Sequence, residues 1–290
     1  RRWWRGPRAG PMSTPRTLRL PEHVVPVSLA TSRGTFAALA TEPEDVPTAH
    51  VVLVPGWTGS KEDFAPLLPL LRAAGFSATA YDQRGQLETT GLPEDDYTLA
   101  GFAEDAVAVA ESAGAGPVHL LGHSFGGLVA QTAAAAQPEA WRSLTLLCTG
   151  PGALGEDPQR PLSHLVEVLD RDSLEEVYGQ LQAARGRDEQ PADVEEFTRR
   201  KFVSNAVASL RAMTVHLLEA PDLVEAAQKS GLPVFVARGA DDDAWPFDVQ
   251  DEMARRYGTQ VHVVPDSAHS PAIENPEALA AAWLPFLADH

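Results

Sequence analysis

The chain has one cysteine, Cys148, in 290 residues. A lone cysteine excludes an intrachain disulfide and suits a reducing compartment, so the expected location is the cytoplasm. Long hydrophobic runs are also missing: no stretch reaches 18 apolar residues, which excludes a membrane-spanning helix. Basic residues are scarce, with 23 Lys and Arg against 40 Asp and Glu and a net charge of −17. Such a surface repels phosphate backbones and anionic lipid, so neither nucleic acid nor a membrane surface is an expected partner. Six of the basic residues (Arg1, Arg2, Arg5, Arg8, Arg16 and Arg19) lie in the first twenty positions, which hold no acid. The opening "RRWWRGPRAGP" lacks the apolar core of a secretion signal. Residues 1–20 are therefore expected to be a disordered basic extension, with a natural start at Met12. There is no internal repeat. What is present is the composition of a soluble globular protein, 44% hydrophobic and 22% charged. Its length is enough for one large α/β domain, or a core domain with an insertion.

From about residue 21, β-like and helix-like segments alternate, as in a largely parallel sheet covered on both faces. "VVPVSLA" (24–30) and "TFAALA" (35–40) read as an opening strand pair. "HVVLVPG" (50–56) is a continuous apolar run, as expected of a strand buried on both sides. Apolar Phe64, Leu67, Leu68 and Leu71 then recur at helical spacing across 61–74, with Pro66 and Pro69 at its first turns or interrupting it. Strands at 76–82, 118–122 and 143–148 alternate with helices at 98–114 and 125–137. Residues 151–225 lose strand signals and become charged and helix-like, before alternation resumes with strands at 232–239 and 260–266 and helices near 247–257 and from Pro276. The expected organisation is a first core part (21–150), a helical cap or lid inserted after the sixth main strand (151–225), and a second core part (226–290). An insertion there lies over the carboxyl ends of the strands, where open α/β sheets bind ligands.

In "VHLLGHSFGG", Ser124 sits between a buried strand and a helix, flanked by Gly122, Gly126 and Gly127. A chain that reverses there within about two residues forces Ser124 into a sparsely populated backbone conformation and lifts its hydroxyl at a helix N-terminus, where negative charge is favoured. An ordinary strand-to-helix turn accounts for the glycines alone; a nucleophile needs partners. An imidazole is the suitable base. His119 and His262 fall inside strands and His123 adjoins the serine, so these are read as structural, whereas His269 lies in a polar loop just past the last strand. An acid to orient the imidazole is offered by Asp241, Asp242 or Asp243, directly after a strand. The backbone N–H groups of Phe125 and of Trp57, in "VPGWTGS" (54–60), are expected to form an oxyanion hole. Three adjacent carboxylates cannot converge on one ion without a special loop, and the glycine pattern of a calcium loop is absent, so no metal is expected, and no organic cofactor.

Four ordered landmarks, "PGWTGS", "DQRG" (82–85), "GHSFGG" and "GADDDAWP…AHSP", resemble the α/β-hydrolase superfamily. The resemblance covers about residues 24–288 and is to the capped group that includes carboxylesterases, lipases, proline iminopeptidases and carbon–carbon bond hydrolases. It implies a mostly parallel sheet flanked by helices with a helical cap. The family pattern G-x-x-D-x-x-x-P, met by Gly239 and Pro246, selects Asp242 as the acid, and "HSP" matches the family's base at His269. Pro55-Gly56 stands where many relatives have His-Gly, and Gln86 where relatives usually carry a small or histidine residue before a serine. A serine nucleophile disfavours the aspartate-dependent epoxide hydrolases and dehalogenases of the superfamily.

The leading expectation is hydrolysis of a carboxylic ester of a small molecule by Ser124, His269 and Asp242, with Trp57, Phe125 and Trp245 near a pocket for an apolar or aromatic group. The same triad serves an aminopeptidase, thioesterase, lactonase or carbon–carbon bond hydrolase. Glu175, Glu176, Glu195 and Glu196 are candidate amine-holding carboxylates for an aminopeptidase, although their runs read as solvated helix faces. From a different class comes a ligand-binding protein or receptor on the hydrolase scaffold.

Overall fold

A computed structural model describes residues 12–114, 116–158, 160–185 and 190–290. Its eight strands are β1 (Val25–Thr31), β2 (Gly34–Thr41), β3 (His50–Val54), β4 (Ser77–Tyr81), β5 (Val118–His123), β6 (Trp141–Leu147), β7 (Val234–Gly239) and β8 (Val261–Val264). They form one sheet in the order β1-β2-β4-β3-β5-β6-β7-β8. The β1–β2 and β2–β4 pairs are antiparallel, and every pair from β4–β3 to β7–β8 is parallel. The central position of β3 follows from its sequence: Val51 to Val54 are all fully buried, and a continuous apolar run suits a strand covered on both faces.

Successive residues of each central strand feed opposite cores, as the period of two requires. Val52, Val54 and Leu120 join Phe102, Leu128 and Val129 on one face. Val51, Leu53 and Leu121 join Leu68, Leu71 and Trp283 on the other. The helices behind these residues are α1 (Leu68–Ala73), α2 (Leu99–Ser112), α3 (Phe125–Ala136) and, for Trp283, the C-terminal helix Pro276–Asp289. Helix α2 starts where the Thr98 hydroxyl accepts the Gly101 N–H at 3.0 Å, satisfying one open donor of the first turn. The helical stretch over 61–74, expected to have Pro66 and Pro69 at its first turns or interrupting it, is two pieces, a 3-10 turn at Lys61–Phe64 and then α1. Pro66 and Pro69 lack the N–H a continuous helix needs, so Pro66 falls between the pieces and Pro69 in the first turn of α1.

Between β6 and β7 lie α4 (Leu162–Leu169), α5 (Leu174–Arg185), α6 (Ala192–Val203), α7 (Val207–Glu219) and α8 (Val224–Gln228). These inserted helices are anchored to the core by polar bonds at the loop after β4: Ala206 N–H donates to the Gly85 carbonyl at 2.8 Å and the Ser209 hydroxyl to the Arg84 carbonyl at 2.7 Å. On α6, fully buried Lys201 donates to Asp63 Oδ1 at 3.0 Å and to the Ser13 carbonyl at 2.6 Å. After β7 come α9 (Phe247–Arg256), α10 (Pro271–Glu274) and α11 (Pro276–Asp289), the last capped by the Asn275 side chain accepting from Ala278 N–H at 3.2 Å.

Residues 12–20, the described part of the expected basic extension, contain no helix or strand but make contacts with the core. Met12 is buried in the core, the Ser13 and Ser270 hydroxyls are 2.9 Å apart, and Arg16 donates to the Glu274 carbonyl at 2.6 Å. An apolar residue and a run of backbone and hydroxyl partners offset the ordering entropy that the basic composition alone does not. Residues 1–11 lie outside the described residues.

Candidate active site

The turn between β5 and α3 carries Ser124 at φ 55° and ψ −120°, a costly conformation for a residue with a Cβ. The surroundings over-determine it. Ser124 N–H donates to the Leu147 carbonyl of β6 at 2.9 Å, and its own carbonyl accepts from Gly127 N–H and the Thr149 hydroxyl, each at 2.8 Å. Glycine is required at 122 and 126 by proximity: a Cβ on Gly122 would collide with the Gly126 carbonyl, and one on Gly126 with the carbonyls of Val54 and Pro55. The serine is thus held at the start of a helix, pressed against the loop that follows β3.

His269, in the loop after β8, meets Ser124. Its Nδ1 is 2.7 Å from Asp242 Oδ1 and its Nε2 is 2.9 Å from Ser124 Oγ. A carboxylate only accepts, so Nδ1 carries the proton and Nε2 is left to accept from the serine hydroxyl. Of the three consecutive aspartates, Asp242 is the one buried and bonded to the imidazole, while Asp241 is exposed and Asp243 half-buried. Asp242 also receives Ala244 N–H on Oδ1 at 3.2 Å and the Gln250 amide on Oδ2 at 2.9 Å. Burial works against its charge, but the imidazole and these donors outweigh burial and hold its pKa below the ordinary carboxylate value. Burial likewise opposes the imidazolium of His269, but the charge of Asp242 and its hydrogen bond prevail and raise the His269 pKa above 6.5.

Two residues fix the loop of His269. Glu274 Oε2 accepts the N–H groups of Ala268 and Ser270 at 2.8 and 3.0 Å. His123 donates from Nε2 to the carbonyl of His269 at 2.6 Å, and burial lowers its pKa to about 3, so it stays neutral. Neither Gln250 nor Glu274 stands out in the sequence: one lies in a polar helical stretch and the other just after the His269 loop, and only the fold brings them to Asp242 and His269. His119 is structural as expected, buried with its Nδ1 2.8 Å from the Ser143 hydroxyl.

The loop after β3 carries the other expected oxyanion donor. A Cβ on Gly56 would stand 3.1 Å from Ser124 Cβ, so this backbone lies directly against the Ser124 turn. The Gly56 carbonyl accepts from Gly59 N–H at 3.0 Å and from Gln86 Nε2 at 2.9 Å; that of Pro55 accepts from Gln83 Nε2 at 2.9 Å. The half-buried Trp57 donates from its indole to the Thr214 hydroxyl of α7 at 3.0 Å. The other two aromatic rings expected near a pocket are fully packed. Phe125 is edge-on to Phe102 at 5.6 Å and stacked over His216 at 6.3 Å. The Trp245 indole rests on Gly150 and donates to the carbonyls of Gly152 and Ala153, each at 3.2 Å.

Among the described residues, one group of potential metal ligands gathers within 4.8 Å: His123, Cys148 and His269. Both ring nitrogens of His269 and Nε2 of His123 are engaged by the hydrogen bonds above, and burial pushes the Cys148 thiol far up, so the set offers a metal no thiolate. No described helix is long and apolar enough to cross a membrane.

A family model described as "Alpha/beta hydrolase family" matches residues 51–282. A pimeloyl-[acyl-carrier protein] methyl ester esterase of Neisseria meningitidis serogroup B / serotype 15 (strain H44/76) is 27% identical over 255 residues, 82% of this chain and 92% of that protein. The RutD protein of Variovorax paradoxus (strain S110) is 35% identical over 97 residues, which span 33% of this chain and 36% of that relative's length. In fold, a hydrolase from Pseudomonas aeruginosa PA01 superposes with a TM-score of 0.74 at 24% identity, over 90% of this chain and 98% of that one. The match from β3 to α11, on a mostly parallel eight-stranded sheet, identifies the chain as a member of the alpha/beta hydrolase family.

Proposed function

We propose that the protein is a serine esterase that cleaves a small-molecule carboxylic ester through an acyl-enzyme. The observation that carries this reading is the unbroken chain from Asp242 through His269 to Ser124, at 2.7 and 2.9 Å. His269 Nε2 takes the Ser124 proton as Oγ attacks the ester carbonyl, and Asp242 stabilises the imidazolium that results. The N–H groups of Trp57 and Phe125 receive the oxyanion, each well-aimed donor contributing on the order of 3 kcal/mol. The imidazolium then protonates the leaving alcohol, and neutral His269 activates the water that releases the acid. Trp57, half-buried beside the nucleophile, gives the site an apolar wall for the substrate. The helices of 151–225, anchored on the loop after β4, act as the lid, and the protein works in the cytoplasm.

Ester cleavage is favoured over the other bonds by the N. meningitidis relative, whose name is that of a methyl ester esterase. The test is hydrolysis of p-nitrophenyl esters from acetyl to decanoyl by wild type and Ser124→Ala. Turnover that peaks at one chain length and vanishes in the variant is the expected result. No turnover at any length by the folded protein would overturn the ester reading in favour of amide, thioester, lactone or carbon–carbon cleavage, or of a ligand-binding protein on this scaffold.

A further inference from the structure

The oxyanion donor assigned to Trp57 is a backbone group, so its aim depends on the orientation of one peptide plane. The Gly56 carbonyl and the Trp57 N–H belong to that plane and, in a trans peptide, point in opposite directions. Whatever grips the carbonyl therefore aims the N–H. Gly59 N–H grips it at 3.0 Å, as part of the turn itself. The second grip comes from outside the loop: Gln86 Nε2, at 2.9 Å, from a side chain with no exposed surface.

Gln86 is itself held. Its Oε1 accepts Gln83 N–H at 3.1 Å, which fixes which end of the amide faces Gly56. Its Nε2 also lies 3.8 Å from Met213 Sδ on α7, the helix whose Thr214 receives the Trp57 indole. Gln83 repeats the arrangement one peptide earlier, donating to the Pro55 carbonyl. Two buried amides from one loop thus clamp two consecutive carbonyls of another.

Resting on the esterase reading above, we propose that Gln86 is a positioning residue for the oxyanion hole: its amide fixes the Gly56–Trp57 peptide so that the Trp57 N–H faces the developing oxyanion. Gln86 does not touch substrate. Its removal weakens stabilisation of the tetrahedral intermediate while leaving the ground-state complex and the imidazole unchanged.

The experiment uses wild type, Ser124→Ala, Gln86→Met and Gln86→Glu of the full chain. Gln86→Met keeps length and packing against Met213 without the donor; Gln86→Glu keeps the shape and replaces the donor by an acceptor. Three readouts are taken: steady-state kinetics on the best p-nitrophenyl ester, the rate of covalent labelling by a fluorophosphonate, and the pH profile of kcat/KM. Wild type labelled and Ser124→Ala unlabelled establish the nucleophile. Both Gln86 variants are then expected to lose roughly 10- to 100-fold in kcat and in labelling rate, as partial loss of one oxyanion donor requires. KM should stay within about two-fold and the acid limb of the pH profile should not move. Labelling and kcat at wild-type values in either folded variant overturn the proposal, as does a loss that appears in KM or displaces the acid limb. If wild type itself is not labelled, the nucleophile reading falls and this inference with it. Should one variant fail to fold, as judged by thermal melting, the other carries the comparison.

Discussion

The carbonyl of His269 accepts the Nε2–H of His123 at 2.6 Å, so the residue immediately before Ser124 holds the loop that carries His269. Ser124 and His269, the proposed nucleophile and base, are thereby registered to each other by a bond that involves neither Ser124 Oγ nor His269 Nε2. Substituting His123→Leu removes it while keeping the volume roughly constant. Activity on the best ester should fall roughly 10- to 100-fold, the scale of a small misplacement of a catalytic group. Since burial keeps His123 neutral, the number of ionisations in the pH profile should be unchanged. Steady-state kinetics across pH check both points.

The pH dependence has a definite sign. In the proposed mechanism His269 acts as base only when neutral, and Asp242 raises its pKa above 6.5 in spite of burial, so the acid limb of kcat/KM should have its midpoint above 6.5. Asp242→Asn removes the cause, so the residual activity should lose its acid limb to lower pH. It should also fall about 10⁴-fold, because the imidazole loses its tautomer control. Stability follows the same linkage. A raised His269 pKa contributes stability that is complete below 6.5 and lost as pH rises through the folded value. A lowered Asp242 pKa contributes above 3.8 and is lost as pH falls through its folded value. Denaturant unfolding of wild type and Asp242→Asn between these limits should show the largest gap there.

Two glycines separate packing from chain entropy. A Cβ on Gly239, at the end of β7, would collide with the Ala268 carbonyl in the loop that carries His269. Gly239→Ala should therefore displace the base and lower activity by about 100-fold. On Gly179 in α5 a Cβ meets nothing within 4 Å, and Gly179→Ala should add about 0.5–1 kcal/mol of stability with activity unchanged. Ester assays should single out Gly239→Ala by its lost activity, and thermal melts should single out Gly179→Ala by its raised midpoint.

Local chemistry made much of this protein legible. The apolar run at 50–54, the glycines around Ser124 and the polar loop at His269 each state their structure within a few residues, because strand burial and tight turns are local constraints. The choice of Asp242 among three neighbours came from the family pattern; in the fold its distinguishing feature is burial beside Gln250, which is eight residues away on α9. Other features depend on distant partners. Lys201 falls in the charged, helix-like stretch 151–225, yet it is buried because Asp63 and the Ser13 carbonyl, 138 and 188 residues away, converge on it. Gln86 reads only as a departure from the family pattern until the Gly56 carbonyl is found beside it.

That buried pair supports a fourth prediction. Lys201 and Asp63 have side chains 0% and 3% exposed, so Lys201→Met leaves a buried carboxylate without its cation. The expected cost is about 3–5 kcal/mol, most of it recovered in Lys201→Met/Asp63→Leu, since the uncompensated charge rather than the lost pair is what destabilises. Equilibrium denaturation of the two variants measures the difference, and equal losses in single and double variant would contradict the account.

The central claim is that Ser124 becomes covalently acylated during turnover, and rapid-quench mass spectrometry of the working enzyme with a p-nitrophenyl ester tests it most directly. The account predicts a transient mass increase equal to the acyl group, mapped to the peptide containing Ser124 and absent from Ser124→Ala. Turnover with no adduct on Ser124, or with the acyl group on another residue, would contradict it.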